Sequence, residues 1–297
     1  VPRIPRTRSL LRRLLHFRPL LHRENPEDWE GLGEEITAEL LEKRRVSGEI
    51  FAGRFTLREV ETALREFQIL DHLEKLGFDP LVEILPGEFH RWHLRILHRA
   101  SRELLGEVVL RYITLCAPTF LHFERERYHF LGIEWILLQN PHTSFHRDRP
   151  PLPGQRYPGL GIGRKVLCLL ERMAQALQSD GILAVPEYYH NAVLYLRTER
   201  FFFLSPEKQG EVLALLRDLS SLDLVRSAWA VEGGFVFAHP KRKPYRWKGE
   251  EILYPLAEDL KGYFLSSGYC YATWKAFEER SFVVDGEALE RFLAQRS

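Results

Sequence analysis

The residues with the most legible chemistry lie in "PGQRYPGLGIGRKVLCLL", positions 153–170. Gly159, Gly161 and Gly163 alternate with apolar residues directly before an amphipathic run. A turn alone needs one glycine; alternating glycines bring bare backbone N–H groups close to a ligand. At a helix N-terminus such donors are unpaired and sit at the positive end of the dipole, so the natural ligand is a phosphate. Three residues could move protons. Glu134 is a charge inside the apolar run "GIEWILL", and the plain alternative is a strand-edge residue facing solvent. His190 follows Tyr188 and Tyr189 past a short apolar strand, where a histidine acts as a base or merely caps a helix. Tyr195 lies in the next helix, where its ring suits the core and its hydroxyl needs a carbonyl or other partner.

These residues need elements to hold them. "TLREVETALREFQILDHLEKLGF" opens with Thr56 and Glu59 at capping-box spacing and stops at Gly77, which predicts one helix with a core-facing stripe. The period then changes to alternation, which predicts strands over 89–97 and 107–115 paired antiparallel, then a buried strand near 130–139. A proline-rich loop leads to the glycines. A helix over 164–178 follows, then a strand at 182–185 set parallel to 130–139 by a right-handed crossover, a helix through Tyr195 and the strand "FFFL". Beyond residue 205 the reading is a capped helix in "SPEKQGEVLALLRDL", two strands around Gly233–Gly234, a helix in "GEEILYPLAEDLKGYFLSS" and a helical tail. The resulting division is a basic arm and acidic helix at 1–48, a core at 49–204 and an α/β extension at 205–297.

The bulk numbers exclude more than they assign. The 297 residues are 45% apolar and 28% charged with net charge +1, which gives no overall pull toward nucleic acid or a membrane surface. No apolar run reaches the roughly 18–20 residues of a membrane span. Cys116, Cys168 and Cys270 are odd in number and widely spaced, which fits free thiols in a reducing, cytoplasmic setting. His142, His146 and Asp148 have metal-like spacing but match no signature, so no metal is expected. Residues 1–23 hold seven arginines and no acid; residues 24–42 hold eight acids and no Lys or Arg. The arm reads as an exposed segment lying on the acidic block, or as an amphipathic helix for lipid, nucleic acid or an import receptor. The chain starts at Val1 and has Met173 as its single methionine, consistent with a non-standard start or a truncated end.

Two nucleotide motifs do not fit. A P-loop needs Lys-Ser/Thr after its last glycine, and here Arg164-Lys165 follows. A dinucleotide fingerprint expects parallel strands before it and an acid about 20 residues on; Asp180 falls at the helix end. The stretch instead resembles the GNAT superfamily of acyl-CoA-dependent N-acyltransferases, whose pattern is Gln/Arg-x-x-Gly-x-Gly/Ala before a helix. Gly161-Ile162-Gly163 fall on its last three positions and Val166 on the apolar position that follows; Pro158 stands at the Gln/Arg position, with Arg156 two residues earlier. The resemblance covers about residues 80–204. It implies a mixed sheet with antiparallel N-terminal strands, a splayed parallel pair and flanking helices. It also implies acetyl-CoA or another acyl-CoA, held by Arg156, Gly159, Leu160, Gly161, Ile162, Gly163 and Arg164. Glu134 or His190 would then act as base, Tyr195 as acid, and a small-molecule or protein amine as acceptor. A non-catalytic module that keeps the fold to bind CoA is the alternative.

Overall fold

A computed structural model describes residues 50–86, 91–116, 125–146, 150–240 and 243–295. The basic arm, the acidic block and Asp148 lie outside the described residues. A short hairpin, β1 (Ile50–Phe51) and β2 (Phe55–Thr56), leads into α1 (Leu57–Glu66). Thr56 caps this helix: its hydroxyl accepts from the Glu59 N–H while the Glu59 carboxylate accepts from the Thr56 N–H at 2.7 Å. The single helix expected over this region is broken in two. Gln68 adopts a left-handed φ of 54°, which ends α1 and starts α2 (Ile69–Lys75). The apolar stripe survives the break, because Val60, Leu64, Ile69, Leu70 and Leu73 are all buried in one core.

The strands follow as β3 (Pro80–Pro86), β4 (Arg91–His98), β5 (Leu104–Cys116) and β6 (Arg127–Leu138), each antiparallel to the next. The first of these had not been anticipated; its run "PLVEILP" is bounded by prolines. After the glycine motif come α3 (Gly163–Ala176), β7 (Gly181–Ala184), α4 (Tyr189–Leu196) and β8 (Phe202–Phe203). The C-terminal third contributes α5 (Pro206–Asp218), α6 (Leu224–Glu232), β9 (Val236–His239), β10 (Lys243–Pro244) and β11 (Ile252–Pro255). It ends with α7 (Glu258–Leu265), α8 (Ser267–Glu279), β12 (Ser281–Val284) and α9 (Gly286–Ala294). Residues 227–232, expected as a strand, fall instead in α6. They form a helix because Asp223 caps it, accepting from the Arg226 N–H at 2.8 Å, and the first glycine of the Gly233–Gly234 pair ends it.

The main sheet has seven strands in the order β3-β4-β5-β6-β7-β11-β8. One pairing in it is parallel, β6 with β7, joined through α3 as the crossover order requires. β11 runs antiparallel between β7 and β8, so the sheet draws strands from both sides of residue 205. Val166, Leu169, Leu170 and Met173 of α3 bury one face against the sheet, α1 and α2. Removing each such side chain from water contributes about 1.5–3 kcal/mol before entropy is counted. Asp180 fixes where β7 begins. Its carboxylate accepts from the His129 N–H at 2.7 Å and from Arg125 at 2.8 Å, while its carbonyl accepts from Leu256 and Ala257 at 2.9 Å. Asp180→Ala should therefore lower stability by about 2 kcal/mol, read as a lower urea midpoint at unchanged m-value, with Asp180→Asn losing less.

Candidate functional site

The parallel pair determines the site. The two strands do not splay as expected: β7 is paired along its whole length, from Phe130–Gly181 to Ile133–Ala184, and beyond its end β6 continues alone to Leu138. The stop coincides with a bulge: Val109 pairs with Trp135 and Leu110 with Ile133, so Glu134 is the extra residue. Gln139 N–H donates toward β5 at Leu105, whereas Asn140 N–H donates the other way, to Pro158 at 2.7 Å. Strand alternation therefore turns the edge groups of Ile136 and Leu138 toward the gap beyond β7.

The glycine loop borders this gap. Leu160 and Ile162 are buried in the main core and anchor the loop, while Gly161 and Gly163 are exposed between them. Gly161 has φ +77°, and nothing lies within 4 Å of where a Cβ would stand at Gly161 or Gly163. A Cβ on Gly159 would come 3.6 Å from the Leu138 carbonyl, so the loop lies against the β6 edge. Gly159 has a hydrogen bond within the fold. The backbone N–H groups from Leu160 to Lys165 have no partner among the described residues. The loop is braced from α2, where the His72 ring nitrogen meets the Leu160 carbonyl at 3.0 Å, and Lys165 bonds Gln68. Arg156 and Arg164 flank the loop, exposed and without an ion-pair partner among the described residues; Arg156 lies over the Tyr157 ring.

The three candidate proton-transfer residues are arranged unequally. Glu134 is held by Arg91, which bonds both carboxylate oxygens, and by Arg111 at 2.9 Å. Leu110 and Tyr112 turn toward the main core, so Arg111 and the Glu134 it holds lie on the opposite sheet face. Tyr195 packs against the main core, with its ring 4.8 Å from Phe201. Burial pushes its hydroxyl well above the usual phenol range. That hydroxyl has no hydrogen-bond partner among the described residues. His190 is 5% exposed in the first turn of α4, stacked 5.4 Å from Tyr188, and its Nδ1 is sealed without a partner. Burial pushes its pKa down to about 4. No hydrogen bond among the described residues joins Glu134, His190 and Tyr195 to one another. Arg91 and Arg111 were not singled out from the sequence as partners of Glu134. The available signal was the alternation of basic residues along 91–99.

The His190 shift has a testable sign. A histidine whose folded pKa lies below its unfolded value favours folding when neutral. Its contribution is complete above about pH 6.5 and is lost as pH falls through the window down to about 4. His190→Phe should flatten the fall in unfolding free energy over that window, measured by urea melts at pH 7 and 4.5. The remaining histidine cluster serves packing. His142 meets Glu103 at 3.0 Å, and its ring lies near Phe78 and His98. No group of three or more His, Cys, Asp or Glu suited to a metal occurs among the described residues. Nor is any helix among them long and apolar enough to cross a membrane.

Fold and site together define a mixed α/β protein in which a glycine-built helix N-terminus lies against the β6 edge beyond the end of β7. No family model and no curated protein matches the chain. One solved structure, described as the crystal structure of a bacterial toxin, aligns at 12% identity and TM-score 0.29 over 59% of this chain and 72% of that one. A likeness of that degree carries no argument about fold or activity.

Proposed function

We propose that the protein is a GNAT-like, acyl-CoA-dependent N-acyltransferase. The observation that carries this reading is the run of N–H groups from Leu160 to Lys165, without a partner among the described residues, at the start of α3 and beside the β6 edge that continues past the end of β7. Such a helix start suits a pyrophosphate, with Arg156 and Arg164 adding charge from either side. The edge of β6 at Ile136 and Leu138 suits an extended amide-bearing arm, which would pair as a strand does. The cofactor supplies an activated thioester; the chain must place a neutral amine against its carbonyl carbon. The C–N bond forms, the C–S bond breaks, the amine gives up a proton and the thiolate takes one. Tyr195 is the proposed donor to the thiolate, its hydroxyl having no partner among the described residues. His190, neutral above about pH 5, is available as an acceptor but is a weak base at a pKa near 4. Glu134 acts through water only if the two guanidiniums release a carboxylate oxygen.

The clamp on Glu134 and the low basicity of His190 favour a second reading, a module that binds acyl-CoA without turning it over. Free-thiol release from acetyl-CoA, measured across a panel of primary amines, separates the two. Amine-dependent release supports the enzyme. Binding of acetyl-CoA without release under every amine supports the module. Absence of both removes the GNAT-like reading.

A further inference from the structure

A second cleft opens just past the carboxyl end of β7, with charges that have no partner among the described residues. It is lined by Glu187, Tyr188, Val231, Glu232, Arg246 and Trp247 and encloses about 340 Å³, at the small end of the roughly 300–1,000 Å³ typical of small-molecule sites. Three pieces of chain meet there: the turn from β7 into α4, the end of α6 and the segment leading to β11. Each is fixed by contacts outside the cleft. Trp247 Nε1 donates to the Pro186 carbonyl at 3.1 Å. Trp229, one turn before Glu232 on α6, donates to the Pro151 carbonyl at 2.8 Å. The Tyr188 ring sits 3.0 Å from where a Gly154 Cβ would stand. The Arg246 guanidinium lies against Gly234, where φ is +76° and a Cβ would come 2.7 Å from Nη1.

Glu187, Glu232 and Arg246 make no ion pair or side-chain hydrogen bond among the described residues. The hydroxyl of Tyr188 is pushed upward first by burial and then by Glu187 and Glu232, which places both carboxylates near one phenol. Opposite charges share the cleft but are not joined to each other, as expected where a ligand of paired charges belongs.

We propose that this cleft is the head-group subsite for the acceptor, and that it takes an amino-acid-like zwitterion. The ammonium sits between Glu187 and Glu232, and the carboxylate on Arg246. An ammonium between two carboxylates stays charged, so it cannot be the attacking amine. The acceptor therefore carries a second amine on a side chain, as a diamino acid does. Tyr188 forms a wall of the cleft and also stacks on His190, which sets the bound head group beside the turn that follows the parallel pair. The acceptor role rests on the acyltransferase reading; the binding itself does not.

Calorimetry on the full chain tests it with four probes: lysine, glycine, Nα-acetyllysine and cadaverine. Lysine and glycine, which carry both head charges, are expected to bind. Nα-acetyllysine lacks the head ammonium and cadaverine the carboxylate, and each should bind about tenfold more weakly than lysine or worse. The Glu187→Gln/Glu232→Gln double variant and Arg246→Gln should each weaken lysine by a similar factor and leave acetyl-CoA binding unchanged. Failure of both zwitterions to bind the folded wild type overturns the proposal, as does equal binding by the variants. Lysine binding without any acetyl-CoA binding would leave the subsite standing and remove the acyltransferase reading.

Discussion

Gly161→Val is expected to weaken acyl-CoA binding by about 100-fold or more, equivalent to about 3 kcal/mol, while the chain stays folded. Gly161 adopts φ +77°, and a Cβ there meets nothing within 4 Å. The branched side chain would therefore not collide with the protein; it would stand in open space beside N–H groups that have no partner among the described residues. The left-handed backbone adds roughly 1–2 kcal/mol of strain, localised to the loop. Leu160 and Ile162, buried on either side, keep the loop seated against the core. Gly161→Ala separates the two effects, since it carries the strain with less of the bulk. Calorimetry with acetyl-CoA and a urea melt on each variant give the comparison. Unchanged affinity in Gly161→Val would mean that the phosphate lies elsewhere.

Tyr195→Phe is expected to lower turnover by about 100-fold, the low end for loss of a positioned acid, with little change in acetyl-CoA affinity. The phenol makes no hydrogen bond among the described residues, so removing it leaves no partner unsatisfied. The ring and its packing on Phe201 remain, and stability should move by less than about 1 kcal/mol. A structural role predicts the reverse: altered stability and normal turnover. Glu134→Gln should be measured alongside. It weakens the attraction to Arg91 and Arg111, so a fall in stability with unchanged turnover would identify Glu134 as a strut of the sheet face.

What the sequence disclosed and what it hid divide along range. The strand–glycine loop–helix–strand crossover was legible because each part is local. Alternation marks the strands, and Gly161 before Val166 marks the turn into α3. The capping box at Thr56 and Glu59 was equally plain. The break at Gln68 carried no signal, since a glutamine in the left-handed region is held there by its surroundings rather than by its own preference. Residues 227–232 were misread because "SAWAVEGGFVFA" is largely apolar; the cue that decides is Asp223, four residues earlier. β11 has only four residues, and its partners lie far earlier in the chain, so no local period reveals its place between β7 and β8.

The site follows the same rule. The loop from Gly159 to Arg164 was readable as a turn into a helix start because that needs only the chain's own backbone. The clamp on Glu134 was not readable, because Arg91 and Arg111 approach it from two other strands. Whether a strand carboxylate is free or paired depends on sheet register, and the bulge that sets that register spans β5 and β6. His190 was legible as a residue past a strand end. Its sealed, partnerless Nδ1 depends on what packs around α4.

The most direct test of the central claim is titration of the full wild-type chain with acetyl-CoA, with amide hydrogen exchange followed in the same samples. The account predicts one binding site whose affinity falls with added salt, and slower exchange confined to Leu160–Lys165 and the Ile136–Leu138 edge. Absence of binding heat at millimolar acetyl-CoA in the folded protein would contradict it, as would protection that leaves those backbone groups untouched.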